Sequence, residues 1–329
     1  VTKLLNRERR ELSVWSIAML AALGLAWWAS QPASESDATT VKVASLDEKA
    51  VTEIKLRGQD QVELVGQRRD DGRWWITFTR QEKREGQEPT QVTERFVATE
   101  KIKEILAGFS PLVAQRDLGD VGEQRMTEFG LTDAAETLTL MGGSGELLRL
   151  RVGKTSWGSR NRFAQLGDEK RVLLLNGDGI SDLSKAHVRL FERNLLGTMT
   201  DEITKAEVIQ GQKSKVFEHT QRDQSGALLW TSEGGEPNAS YKSWFDKVER
   251  LRLLTYATDE QVSDLGGLKG EFLVRFFKGE TVVDELEFFR QGSAGTEVWW
   301  VKSKFLGTWV KLADNRAGPL QKDLAQILN

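Results

Sequence analysis

Asp70–Thr79, DDGRWWITFT, is the stretch whose reading decides the fold. Asp-Asp-Gly is a tight-turn signal, because Gly accepts the positive φ that such a turn demands. The following Arg73–Thr79 is rich in the aromatic and β-branched residues that strands favour. Upstream, Val51–Arg57 and Gln61–Arg69 alternate apolar and polar residues and are split by Gly58–Asp60. The reading is therefore an antiparallel meander. Beyond it, Thr99 opens a helix with Ile102, Ile105, Leu106 and Phe109 on one side, closed by Pro111. Four more strands follow, Glu136–Met141, Glu146–Val152, Arg162–Leu166 and Arg171–Leu175, and then a short helix, Ile180–Ala186.

The same programme then recurs. Ile203–Gln210, Val216–Arg222 and Ala227–Ser232 read as strands. Ser240 opens a helix carrying Trp244, Val248 and Leu251 on one side, with Leu254 as its furthest extension. Strands Glu271–Lys278, Val282–Arg290, Val298–Lys304 and Thr308–Leu312 come next, then a helix over Leu320–Leu328. Gly72 and Gly226 lie 154 positions apart. Phe163 matches Val301, and Val172 matches Val310, at an offset of 138. The first copy is thus longer by 16 residues, a surplus assigned to Arg80–Arg95, RQEKREGQEPTQVTER, read as an exposed loop or a long hairpin tip.

Toward the N-terminus stands Leu12–Ala29, LSVWSIAMLAALGLAWWA, 18 residues without a charge or a Pro. As a helix it would span about 27 Å, close to the hydrocarbon thickness of a bilayer. Lys3, Arg7, Arg9 and Arg10 precede it, and the next basic residue is Lys42. This asymmetry places the N-terminus in the cytoplasm and the bulk outside. The run ends in Trp27 and Trp28 with no A-x-A behind it, which favours an uncleaved anchor over a cleaved signal. Trp15, Trp27 and Trp28 are the anchor's aromatic residues, and Ala18, Ala22 and Ala26 form a small-residue stripe on which another helix could pack. The expected division is a basic tail 1–11, a transmembrane helix 12–29, a linker 30–45, a first domain 46–198 and a second domain 199–329. The expected fold class is α+β: a single transmembrane helix followed by two similar, largely antiparallel sheet domains with helices.

Composition narrows the function. Among 329 residues, 39% are hydrophobic and 29% charged, which fits globular matter beyond the membrane. The net charge is −3 with both signs mixed, so no basic stripe marks a nucleic-acid binder. There is no Cys, which excludes disulfides, thiol chemistry and a lipid-modified Cys.

Asp71–Ile76, Phe129-Gly130-Leu131 with its strand pair, Leu150-Arg151-Val152-Gly153 before a hairpin, and Phe191–Leu196 (FERNLL) resemble one bacterial group. It is an envelope domain of unknown function, here duplicated, also found in auxiliary proteins of gliding-motility-type ABC transporters. The resemblance runs from Val51 to the C-terminus, with Gly266-Gly267-Leu268 in place of the second Phe-Gly-Leu. It implies an exported, non-catalytic accessory role and carries over no catalytic residue and no ligand.

Motifs that suggest chemistry have plainer explanations. Gly153-Lys154-Thr155 lacks the first Gly of a phosphate loop, since Leu148 stands there. Asn176–Asp182 suggests a calcium loop, but Ile180 occupies a ligand position and no Glu closes it, so capping by Asp178 or Ser181 is the better account. His187 and His219 are the only imidazoles, and Asp70 with Asp71 is a turn pair before it is a catalytic one. Asn238 reads as a helix cap rather than a sugar site. In Trp74-Trp75 and Trp299-Trp300, adjacent strand residues face opposite sides. One of each pair enters the core; the other meets the apposing domain, a covering helix or a partner, so all four are candidate partner-surface residues. No cofactor and no metal is expected. The function expected is a single-pass inner-membrane protein, with its bulk periplasmic, acting as a scaffold or accessory subunit of a transport or motility complex and meeting other membrane proteins, ABC transporter subunits among them. A periplasmic glycan- or lipid-binding module is the alternative, and an enzyme the third.

Overall fold

A computed structural model describes residues 40–329, apart from 59, 60, 84, 85, 87, 133, 134, 223–225, 227, 294, 295 and 313. The anchor stretch, with Trp15, Ala18, Ala22, Ala26, Trp27 and Trp28, lies outside the described residues. In chain order the elements are β1 (Val41–Ala44), β2 (Val51–Arg57), β3 (Glu63–Arg68), β4 (Trp74–Glu82), β5 (Thr90–Val97), α1 (Lys101–Ala107), β6 (Leu112–Asp120), α2 (Glu123–Phe129), β7 (Glu136–Gly142), β8 (Gly145–Thr155), β9 (Asn161–Leu166), β10 (Arg171–Asn176), α3 (Asp178–Ser184) and α4 (Ala186–Arg189). They continue as β11 (Lys205–Gln210), β12 (Lys213–Arg222), β13 (Leu228–Ser232), α5 (Ala239–Glu249), β14 (Leu253–Tyr256), α6 (Asp259–Leu265), β15 (Gly270–Lys278), β16 (Thr281–Gln291), β17 (Val298–Ser303), β18 (Thr308–Leu312) and α7 (Asp314–Leu328).

Ten strands form one sheet in the order β1-β6-β10-β9-β8-β7-β2-β3-β4-β5, and eight form another in the order β13-β12-β11-β15-β16-β17-β18-β14. Read from β14, the second sheet repeats the order of the first from β6 to β4; the first adds β1 at one edge and β5 at the other. Neighbouring strands pair antiparallel; for consecutive strands such as β3–β4, β7–β8, β11–β12 and β15–β16 the short Gly-bearing connections require it.

This corrects the expected α+β class with a transmembrane helix. The described structure is mostly antiparallel β in two sheets, with short helices laid on their faces. Among the described residues, no helix is long and apolar enough to cross a membrane. Strands outweigh helices because segments read as connections pair into the sheets. Val41–Ala44, inside the expected linker 30–45, is β1 and pairs with β6. Arg80–Arg95 is a hairpin whose returning arm is β5, with Thr77 opposite Arg95 and Arg80 opposite Val92.

The repeat register differs from the expected one by a residue. Ala164 pairs with Leu173, and Val301 with Val310, and all four are buried. Val301 therefore corresponds to Ala164 rather than to Phe163, an offset of 137 rather than 138. In a strand that single step decides the face: Phe163 lies on the outer side, stacked on Phe129 of α2 at 4.0 Å.

The inner faces of both sheets feed one hydrophobic core that includes Ile54, Leu138, Leu150, Phe217, Val274 and Phe288. Helices α1 and α3 contribute Ile102, Ile105, Ile180 and Leu183 over the first sheet. Over the second, α5 stacks Phe245 on Trp230 at 3.8 Å, and its Trp244 Nε1 donates to Leu320 O of α7 at 3.1 Å.

Candidate functional site

The two sheets meet along a groove of about 460 Å³ between β4–β5 and the chain from β14 into α6. Gln67, Thr77, Thr93 and Arg95 line the first side, Tyr256, Thr258 and Asp259 the other, and Phe191 the floor. The strand period explains the first side. Ile76, Phe78 and Phe96 turn into the core, so Trp75, Thr77 and Arg95 face out toward the second sheet. Arg69 lies over the Trp75 ring at 4.2 Å and Arg95 at 5.1 Å, while Tyr256 meets its edge at 6.0 Å. Arg95 Nη1 reaches Asp259 Oδ1 across the groove at 3.2 Å. Burial, then the charges of Arg95 and Arg73, lower the Arg69 pKa from its ordinary value, opposed by Asp71. The groove is thus lined by mixed charges, Arg95 with Glu94 and Asp259, and by threonine hydroxyls, while the Trp75 and Tyr256 rings beneath are buried.

The segment that holds this groove in shape is the FERNLL stretch. Phe191 bridges to Ala98, and Glu192 N donates to Val97 O at 3.0 Å, fastening it to the first sheet. Tyr256 Oη donates to Glu192 O at 2.9 Å, Leu253 N to Arg193 O at 3.3 Å, and Ser303 Oγ to Leu195 O at 2.7 Å, fastening it to the second. Burial, followed by Glu192, raises the Tyr256 pKa, so the phenol stays a donor. Buried Asp284 accepts from Gly197 N and Thr198 N at 3.1 and 3.0 Å. A Cβ on Gly197 would collide with the Phe305 ring.

The four expected partner-surface residues are all buried: Trp74 is 3% exposed, Trp75 7%, Trp299 2% and Trp300 4%. Trp74 and Trp299 enter the core. The second face of Trp75 meets the other sheet, as above. Trp300 packs with Leu265 of α6, Phe289 and Trp309 in a separate cluster on the outer side of the second sheet. A protein partner cannot reach any of the four in this arrangement, because neighbouring elements already cover their rings.

The other candidates are dispersed. His219 is buried on β12, stacked on Trp230 at 4.1 Å, with Nδ1 3.0 Å from Ile203 O. His187 stacks on Phe78 at 5.0 Å, and burial, then Arg80, lower its pKa, opposed by Glu94. Asp71 holds the turn by pairing with Arg73 at 2.6 Å, which keeps its carboxyl below the usual range. In the suspected calcium loop, neither Asp178 nor Ser181 caps α3; Asn176 Oδ1 accepts from Asp178 N at 2.8 Å instead. Asn238 caps α5, accepting from Ser240 N at 2.8 Å. Gly153 brings β8 against the end of α2, where a Cβ would strike the Phe129 carbonyl. The Phe-Gly-Leu and Leu-Arg-Val-Gly motifs are thus two sides of one close packing contact.

Sequence reasoning missed Arg95, Tyr256 and Asp259. One local signal was present: Thr258-x-x-Gln261 forms a capping box that starts α6 and fixes the adjoining groove wall. The pairing of Arg95 with Asp259 spans 164 positions and leaves no local trace.

No match to this chain is found among curated proteins or among solved structures. One family model, Domain of unknown function (DUF4340), matches residues 97–268, from the end of β5 to just beyond α6. That span is more than half of the 329 residues, holds the FERNLL stretch near its middle and includes the second wall of the groove. The chain belongs to the family of this domain of unknown function, DUF4340.

Proposed function

We propose that the chain is a non-catalytic accessory or scaffold subunit of a membrane transport or motility complex, held at the bacterial inner membrane with both sheets on the periplasmic side. The observation that carries the reading is the double fastening of Phe191–Leu196, which fuses two sheets around one core. A body built this way is a stiff spacer, and confinement to the membrane plane raises its effective concentration toward membrane partners. The charge asymmetry around Leu12–Ala29 supports the location. The resemblance of Asp71–Ile76 and Phe191–Leu196 to auxiliary proteins of gliding-motility-type ABC transporters supports the company. Edges β5 and β14 approach each other, which leaves β1 and β13 as the outer edges for strand pairing with a partner.

Extraction of the tagged chain in a mild detergent tests the reading. Transporter membrane subunits are expected in fixed ratio with the chain; recovery of the chain alone, with transport or motility intact in its deletion strain, contradicts it. The groove favours a second reading, a periplasmic glycan-binding module. Under it, oligosaccharides raise the melting temperature saturably, and Arg95→Ala abolishes that shift without lowering the unliganded melting temperature.

A further inference from the structure

The hairpin β8–β9 ends in Ser156-Trp157-Gly158-Ser159, and the Trp157 side chain is 100% exposed. The hairpin fixes the backbone that carries this ring. Ser156 N donates to Asn161 O at 2.7 Å to close the tip, and Gly158 takes φ +72° to turn it. Lys154 and Arg160 flank the tip and are exposed. Among the described residues, no carboxylate pairs with Lys154, and Arg160 meets Asp178 only at 3.9 Å. The turn offers the ring no neighbour to pack on within the described residues, so its whole apolar surface is free to enter another phase. Trp beside Lys and Arg is the composition that settles at the headgroup level of a bilayer.

We propose that the Trp157 tip inserts into the interface of an anionic lipid surface, so that the first sheet stands on the membrane instead of swinging from its N-terminal stretch. The register and the chain length permit it. Val41 shares a cross-strand row with Ala114, Leu175, Arg162 and Thr155. The start of the described chain is therefore about 14 Å, three strand spacings, from the hairpin arm; β1 and β8 run in the same direction, so the chain before Val41 leaves away from the tip and has to double back to reach its level. Twelve positions separate Ala29 from Val41, an extended reach of about 40 Å at most. The tip is thus within reach of a bilayer that holds residues 12–29. This inference rests on the membrane location proposed above.

The absence of native Cys makes the test specific. In the full chain, Ser159→Cys carries an environment-sensitive fluorophore, with Ser144→Cys, in the turn at the other end of β8, as the control. Both are reconstituted into phosphatidylcholine vesicles with or without about one third phosphatidylglycerol. The probe at 159 is expected to shift to the blue and be quenched by spin-labelled lipid in the anionic vesicles, while the probe at 144 stays unquenched. Quenching falls about threefold or more with Trp157→Ala, and likewise with Lys154→Glu plus Arg160→Glu. A chain that floats with the vesicles but shows equal quenching at 159 and 144, or none at 159, overturns the inference and directs Trp157 to a pocket in a protein partner. A chain that does not float with the vesicles at all overturns the membrane location itself.

Discussion

At the scale of single residues, the polar groups in the core act as fasteners. Asp284 is 2% exposed, and burial raises its pKa, yet two backbone N–H groups depend on it. Asp284→Ala leaves both donors without an acceptor and is expected to cost about 2–4 kcal/mol by chemical denaturation. Asp284→Asn keeps an acceptor oxygen and is expected to cost less than half as much. His187 gives a pH signature. Its folded pKa lies below the ordinary 6.5, so between the two values the unfolded chain binds more protons. Stability therefore falls as pH drops below about 6.5. His187→Phe, which keeps the stack on Phe78, is expected to flatten the melting profile between about pH 8 and about pH 5; an unchanged slope refutes the assignment. That one Trp of each adjacent pair faces the core was legible from strand alternation, but which one was not, and neither were Tyr256 and Asp259. Their roles come from contacts with Trp75, Glu192 and Arg95, far away in sequence.

At the scale of elements, legibility followed length and turn chemistry. Hairpins around Gly72 and Gly226 were readable because each Gly sits at positive φ between two strands. Strands β1 and β14 have four residues each, too few for an alternation to emerge, and β14 merged with the pattern of the preceding helix. Strand β6 buries only Leu112 and Ala114 among its nine residues and takes its identity from pairing with β1 and β10. Helices α1, α2, α3 and α6 each span seven residues, but α1 and α3 carry buried apolar residues, whereas α2 buries none and α6 only Leu265, so no apolar face marks the latter two. The close contact of β8 with α2 yields a prediction: Gly153→Ala forces a Cβ against the Phe129 carbonyl and is expected to destabilise by about 1–3 kcal/mol. Gly143→Ala, with open space around its Cβ, is expected to change little in the same denaturation measurement.

At the scale of the molecule, the central claim is that two sheets of common strand order are locked into one rigid body by Phe191–Leu196. The groove exists only if that lock holds, and a spacer role depends on it equally. Phe191 packs on Phe96 at 5.1 Å and Tyr256 at 5.2 Å, so Phe191→Ala is expected to loosen both sheets at once, at about 3 kcal/mol. Neither composition nor periodicity could reveal this lock, since it binds residues from three separate strands, β5, β14 and β17. The most direct test is double electron–electron resonance between spin labels at Ser144→Cys and Gln212→Cys, one in a turn of each sheet of this Cys-free chain. A single narrow distance distribution, broadened by Phe191→Ala, is the result the account predicts. A broad or two-peaked distribution in the otherwise unaltered chain would show that the sheets move independently, and would contradict it.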